Sequence, residues 1–463
     1  MHLPVDFAQY TAQLMGDARY NTFVQALEQE APVSIRLNPL KHLHGVPAAA
    51  ATQPVPWCEE GRYLSHRPNF TADPLLHAGA YYVQEASSMF VTHVLKQYVH
   101  EPVRMLDLCA APGGKSTAAR SVLPEGSLLF ANEPMRARAN VLCENIQKYG
   151  HTDVVVTNNY PRDYARSGIL FDVILADVPC SGEGMFRKDE GAVADWSTRK
   201  VTECATLQRD IVADAWQCLQ PGGLLIYSTC TFNAEEDEKN LLWITEKLGG
   251  EVLPINTLPD WNITPALWGD LPCCRFIPGF SQGEGLFMAA IRKPGTRIEE
   301  KRKPEKEKRK DKKRKGDSTA PCMALPKEMP LLQAESFDWL IDADRLMAVR
   351  KPFIPVVREA LKTLKVMLAG VMVGTQKGKA LIPDQSLALS AMLNTSAYPI
   401  ININLSTALT YLRREAITLP EGSPTGFVLV AYEGLPLGFV KNIGNRSNNL
   451  YPNEWRIRSQ HIG

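Results

Sequence analysis

Val103-Arg-Met-Leu-Asp-Leu-Cys-Ala-Ala-Pro-Gly-Gly-Lys-Ser-Thr117 runs from a short apolar strand pattern through a glycine pair into a helical pattern. Glycines permit a tight turn and close approach of a ligand to the backbone, and the helix start beyond offers free N–H groups to an anion. A phosphate loop ending in Gly114-Lys115-Ser116 would need a glycine where Cys109 stands. The dinucleotide fingerprint G-x-G-x-x-G fails as well. What remains is a turn for a small carboxylate, followed by Glu133, nineteen residues past Gly114 at the end of the next apolar run, where it can accept hydrogen bonds from a ribose. That combination suits S-adenosylmethionine.

Working outward, apolar runs alternate with helical patterns: Ser127 to Asn132, Val154 to Thr157, Phe171 to Asp177, Gly223 to Ser228 and Leu286 to Ile291. This alternation predicts an α/β fold with a doubly wound, Rossmann-like parallel sheet whose polar strand ends line a ligand crevice. A helix is expected over Asn233 to Leu248, capped by Asn233. Residues 1–100 read as a small α+β unit, with one helical pattern over Phe7 to Leu27 and a strand over Val33 to Asn38. Residues 101–293 form the catalytic unit, 294–330 a basic linker, and 331–463 a C-terminal region with a β-rich end. The linker core, Glu299 to Lys315, has no apolar residue and cannot bury a face.

The chain has 463 residues, ten scattered cysteines and a formal charge of +1. That sum hides a net −11 over residues 1–291, from 22 basic and 33 acidic residues, and a net +9 over residues 292–315, from 14 and 5. Attraction to polyanions must therefore come from the linker and the C-terminal region. No run approaches the length of a membrane span, no basic and apolar leader opens the sequence, and no C-x-x-C pair suggests zinc. A cytoplasmic, monomeric protein with reduced thiols and no metal is expected.

Two cysteines stand at neighbouring strand ends, in Asp177-Val-Pro-Cys-Ser-Gly-Glu-Gly184 and Ser228-Thr-Cys-Thr-Phe232. A single free cysteine is most often a small buried hydrophobe. Two at adjacent carboxyl ends can converge with Asp177 beside a cofactor. C5 of a pyrimidine is too weak a nucleophile to take a methyl group from a sulfonium unaided, and thiolate addition at C6 makes it enamine-like. A carboxyl near N3 and N4 would stabilise the charge developing on the ring.

These motifs resemble the NOL1/NOP2/Sun family of RNA cytosine-5 methyltransferases, and within it the bacterial RsmF-type 16S rRNA branch. Arg36-Leu-Asn38 and Tyr82-Val-Gln-Glu-Ala-Ser-Ser88 resemble its N-terminal motifs, and Gly434 to Pro452 resembles its PUA-like RNA-binding end. The resemblance implies that Cys230 attacks C6 while Cys180 assists product release. It implies that Cys109, Ala110, Ala111, Pro112, Gly113, Gly114, Lys115 and Glu133 hold S-adenosylmethionine, that Asp177 touches cofactor or base, and that Lys115 orients the base. Where many members carry an acidic residue after the third strand, this chain has Asn158 and Asn159, either of which could bond the adenine.

Arg36, Asn38, Lys115, Lys441 and Arg446 are the expected RNA contacts. The core being acidic, linker and C-terminal region are expected to supply most affinity for rRNA, so that deleting residues 295–463 raises KM for RNA far more than it alters cofactor binding. The alternatives are a tRNA substrate for the same chemistry, and a non-catalytic ribosome-assembly factor, which would have no need of both thiols.

Overall fold

A computed structural model describes residues 2–41, 52–298, 325–326 and 328–458. The basic segment 299–315 lies outside the described residues. The expected parallel sheet is present. Its strands run in the order Glu251–Leu253, Leu286–Arg292, Leu219–Thr229, Phe171–Asp177, Arg104–Asp107, Leu128–Asn132, Val154–Thr157 and Val366–Ala369, with Cys274–Phe276 paired onto Leu286–Arg292. The five strands from 219–229 to 154–157 are mutually parallel. Both flanking neighbours, 286–292 and 366–369, are antiparallel to them. The central strands are apolar on both faces, as a sheet covered by helices on each side requires.

The last strand changes the domain picture. Val366–Ala369 lies beyond the linker, yet it pairs with Val154–Thr157 and closes the edge of the catalytic sheet. The main hydrophobic core runs from Val55 to Met372 and includes Met347, Val349, Val357, Ala360 and Leu368 together with Val154, Val155 and Val156. A catalytic unit ending at residue 293 would leave that edge unpaired and those side chains in water. The C-terminal region also carries two four-stranded sheets. One is built from Phe337–Asp342, Arg345–Arg350, Val371–Lys377 and Ala380–Pro383, the other from Ile400–Asn402, Gly426–Tyr432, Leu435–Asn442 and Ser447–Asn449.

The N-terminal unit differs in one detail from the pattern read in the sequence. The segment 7–27 is two helices, Val5–Met15 and Asp17–Leu27, because the chain turns at Gly16. Its four-stranded sheet is tied to both other regions. Asn38 donates to the Gly79 and Tyr149 carbonyls, and Lys41 Nζ donates to the Leu389 carbonyl. Burial lowers the Lys41 pKa to about 8. Among the described residues no helix is long and apolar enough to cross a membrane.

Candidate active site

The carboxyl ends of the parallel strands open into a cleft of about 580 Å³, bounded by Tyr82, Gln84, Asp107, Lys115, Asp177 and Cys230. That is a volume typical of small-molecule sites. Its floor is the turn after strand 104–107. Gly113 sits at φ +114, a conformation that disfavours any side chain, and helix Gly114–Val122 starts directly after it. Ser116 Oγ donates to Asp107 Oδ2 at 2.6 Å, and Asn132 Nδ2 ties the next strand end to the Leu108 carbonyl at 3.0 Å.

Two carboxylate oxygens at this edge are buried without a hydrogen-bond donor: Asp107 Oδ1 and Glu133 Oε2. Glu133 Oε1 accepts from the Met135 N–H, which fixes the carboxylate, while Arg138 lies 3.4 Å from Oε2. Buried acceptors without a hydrogen bond are rare in proteins, and Asp107 Oδ1 and Glu133 Oε2, the latter with only the longer Arg138 ion pair, suit a ligand that brings its own donors. S-adenosylmethionine carries an ammonium group and ribose hydroxyls, so the turn 109–115 together with Asp107 and Glu133 fits it. Burial raises the Asp107 pKa to about 7. The Cys109 thiol is likewise driven up by burial, so it stays a neutral wall of the turn.

Cys180 and Cys230 converge, with their sulfurs 3.2 Å apart. Cys230 borders the cleft, and Lys115 Nζ is 2.9 Å from Asp177 Oδ2 beside it. The hydrogen bond from Cys180 pulls the Cys230 pKa below the ordinary thiol value against the effect of desolvation, and the Lys115 ammonium adds to this. The same bond, together with burial, drives the Cys180 pKa far upward. Of the pair, Cys230 is therefore the more acidic thiol, the one inclined to give up its proton, and Cys180 the one that keeps its S–H. Burial works against charge on Lys115, but Asp177 outweighs it and raises the lysine pKa.

What holds the two cysteine motifs together was not read from the sequence. Glu183, buried in the 177–184 loop, accepts from Thr231 Oγ1, the Phe232 and Asn233 N–H groups, Asn233 Nδ2 and Trp196 Nε1. Glu236 accepts from Ser181 N–H, Asn233 Nδ2 and Gln208 Nε2 in return. Gly184 N–H reaches the Cys230 carbonyl at 2.8 Å, and a Cβ at Gly184 would stand 2.7 Å from that oxygen. These demands explain why the expected helix 233–248 begins only at Glu238. Glu236 and Asp237 turn inward, the latter to Thr229 and Arg275. Acidic residues beside both cysteine motifs were the available signal.

Several expected site residues have other work. Arg36 is buried, donating to Gln84 Oε1 at 2.8 Å and Thr117 Oγ1 at 2.6 Å, so it braces helix Gly114–Val122 instead of meeting RNA. Asn38 is also buried, its amide spent on the carbonyls of Gly79 and Tyr149. Asn158 Nδ2 donates to the Glu133 and Pro134 carbonyls, both at 2.8 Å, and shapes that loop from behind. The Asn159 amide faces Lys365 in the C-terminal region, which engages both its oxygen and its nitrogen. Lys441 and Arg446 are exposed on the 400–449 sheet, with Lys441 Nζ 5.7 Å from the Phe427 ring centre. Tyr451 is a core residue there and Trp455 packs against it. Among the described residues no group of His, Cys, Asp and Glu could hold a metal ion, and every described cysteine is a free thiol.

Comparison with known proteins gives consistent matches along the chain. Residues 93–292 match the family described as 16S rRNA methyltransferase RsmB/F, residues 3–86 the N-terminal domain of 16S rRNA methyltransferase RsmF, and residues 398–457 the methyltransferase RsmF PUA domain. The chain is 32% identical to ribosomal RNA small subunit methyltransferase F of Enterobacter sp. (strain 638), over 96% of this chain and 94% of that one. It is 31% identical to the Escherichia coli (strain K12) protein of the same name, over 94% and 92%. Among solved structures, a methyltransferase homolog protein from Pyrococcus horikoshii superimposes with a TM-score of 0.53 at 27% identity, covering 62% of this chain and 94% of that one. NSun6 from the same organism, determined with SFG, gives 0.54 at 21% identity, over 63% and 99%.

Proposed function

Because the chain belongs to the family of ribosomal RNA small subunit methyltransferase F, we propose that it methylates C5 of a cytosine in 16S rRNA through a covalent bond between Cys230 and C6. It is an S-adenosylmethionine-dependent methyltransferase. The observation that carries the finer reading is the 3.2 Å contact of Cys180 with Cys230, at a cleft shared with Lys115, Asp177 and the cofactor turn.

S-adenosylmethionine, when bound, supplies an electrophilic methyl group. The Cys230 thiolate adds to C6 of the base, which moves electron density to C5. Lys115 and Asp177, paired at 2.9 Å, stand beside Cys230 to orient the ring and stabilise its developing charge. After C5 has gained its methyl group, water entering the cleft takes the C5 proton, that electron pair restores the C5–C6 double bond, and Cys230 leaves C6 as a thiolate. The Cys180 S–H, already directed at that sulfur, stabilises the returning negative charge and so favours release. A base within folded RNA must be turned out of its stack to reach Cys230.

The test incubates the full-length protein with labelled S-adenosylmethionine and, separately, small ribosomal subunits, naked 16S rRNA and tRNA lacking the modification. Label in 16S rRNA, located at a cytosine by bisulfite mapping and absent with Cys230→Ala, is the expected result. Label confined to tRNA overturns the substrate and keeps the chemistry. Cofactor binding without label in any RNA overturns the catalytic reading.

A further inference from the structure

We propose that the C-terminal region completes the cofactor site, and that Asn159 is the positioning residue through which it does so. The strand Val366–Ala369 is more than an edge cover, because Val366 pairs with Thr157, the last residue of its neighbour at the ligand end of the sheet, and Lys365 just before it meets the loop that follows. The Lys365 carbonyl accepts from the Asn158 N–H at 3.0 Å, and the Lys365 N–H donates to Asn159 Oδ1 at 3.0 Å. The Asn159 side chain thus extends the strand pairing by one step where the backbone no longer can.

From Asn159 the connection continues inward. Its N–H donates to Asn132 Oδ1 at 3.0 Å, its carbonyl accepts from Asn132 Nδ2 at 2.9 Å, and the same Nδ2 holds the Leu108 carbonyl. Asn132 is buried and immediately precedes Glu133. Asn158, fixed by Lys365 from one side, grips the Glu133 and Pro134 carbonyls from the other. Three strand ends around the cofactor turn are therefore registered against one backbone unit of the C-terminal region. Removing that unit frees the Asn158 N–H and the Asn159 amide together, and the Glu133 carboxylate loses the support of its loop. Cofactor affinity and docking of residue 365 are then linked, and linkage acts equally in both directions.

The test uses the full chain and S-adenosylhomocysteine as the probe, with binding read by calorimetry. Lys365→Pro removes the N–H that Asn159 accepts and keeps the carbonyl that holds Asn158. Leu364 before it is already extended, at φ −125 and ψ 156, the conformation a following proline demands. Lys365→Pro and Asn159→Ala should each weaken binding by roughly five- to tenfold, within the range usual for coupled sites. The double variant should be no weaker than either single one, since both cut one connection. Lys365→Ala, which keeps the backbone groups, should bind as the unaltered chain does. At saturating cofactor, kcat and the KM for RNA should stay within about twofold, a split that general loosening of the fold would not produce.

Unchanged affinity in the folded Lys365→Pro and Asn159→Ala proteins overturns the proposal, and so does full additivity in the double variant. If those variants fail to fold, amide exchange in the unaltered chain decides. S-adenosylhomocysteine should slow exchange across residues 366–369 as well as 131–135, and absence of protection in 366–369 overturns the proposal. Because the readout is cofactor binding, these outcomes are independent of which RNA is the substrate.

Discussion

Glu183→Gln is a nearly isosteric change that should cost the protein stability and activity together. The Glu183 carboxylate is 1% exposed and meets only donors: Trp196 Nε1 and Asn233 Nδ2 on one oxygen, Thr231 Oγ1 and two backbone N–H groups on the other. An amide must turn its NH2 toward one of these sets. The Asn233 amide cannot flip to help, since its Oδ1 already accepts from the Glu236 N–H. At least two charge-assisted bonds are lost, each worth about 1.5–3 kcal/mol. Part of this is returned, because Glu183 is one cause of the raised pKa of Glu236, about 7, after burial. The net expectation is a loss of roughly 2–4 kcal/mol, which for a domain of this size lowers Tm by roughly 4–16 °C. Scanning calorimetry reads the loss directly. Methyl transfer should fall by at least about tenfold, since the loop carrying Cys180 is no longer fixed against Cys230. A Glu183→Gln protein that melts within a degree of the unaltered chain and retains its kcat would refute the reasoning.

Four further outcomes are expected. Cys180→Ala should shift the pH midpoint for alkylation of Cys230 upward, because the S–H that stabilises its thiolate is gone, and should let covalent RNA adducts accumulate on denaturing gels; an unmoved midpoint contradicts the assigned donor. Asp107 has a folded pKa of about 7 against an ordinary 3.8, so the folded state holds a proton that the unfolded state has released, and stability falls as pH rises between those values, by up to about 1.4 kcal/mol per pH unit. Asp107→Asn should flatten that slope in melts run from pH 4 to 8. Arg36→Met should destabilise the fold by about 1–3 kcal/mol in urea titrations while RNA affinity stays within about twofold; a selective loss of RNA binding would restore Arg36 as an RNA contact. Leu368→Ala should cost about 2–5 kcal/mol, because the side chain is 3% exposed and packed in the core of the catalytic sheet.

The strands of the catalytic sheet were legible because parallel strands buried on both faces read as unbroken apolar runs, and Val154–Thr157 and Phe171–Asp177 begin and end where those runs do. The turn between strand 104–107 and helix Gly114–Val122 was legible because glycines at a strand end have few other uses. The two cysteines were legible through their positions at neighbouring strand ends, which the sheet then aligned, with Asp177 opposite Ser228. Roles that depend on a partner distant in sequence were hidden. Arg36 looks like an RNA contact until Gln84 and Thr117 are seen to take its donors, and Asn159 looks like an adenine contact until Lys365 arrives from 206 residues away. The inward turn of Glu236 and Asp237 was hidden for the same reason, since acidic residues at a helix start suit the dipole equally well.

The boundary at the basic linker shows why composition locates a linker better than it locates a unit of folding. A segment without apolar residues cannot join a core, but that says nothing about whether the chain beyond it builds a separate core or returns to the first. Here it returns. Val366–Ala369 supplies the hydrogen bonds that Val154–Thr157 would otherwise lack, and Leu340, Met347, Val357 and Leu368 join the same core as Leu129 and Ile174. Deleting residues 295–463 therefore removes an edge strand and part of a core along with any surface for RNA. A rise in KM for RNA in such a truncation would carry a loss of stability with it, and the two cannot be separated by that experiment. Separating them requires changes confined to exposed side chains of the 400–449 sheet, such as Lys441→Ala and Arg446→Ala, which leave the edge pairing intact. If the C-terminal sheet supplies affinity through phosphates, those changes lower the salt dependence of RNA binding and leave cofactor binding and melting untouched.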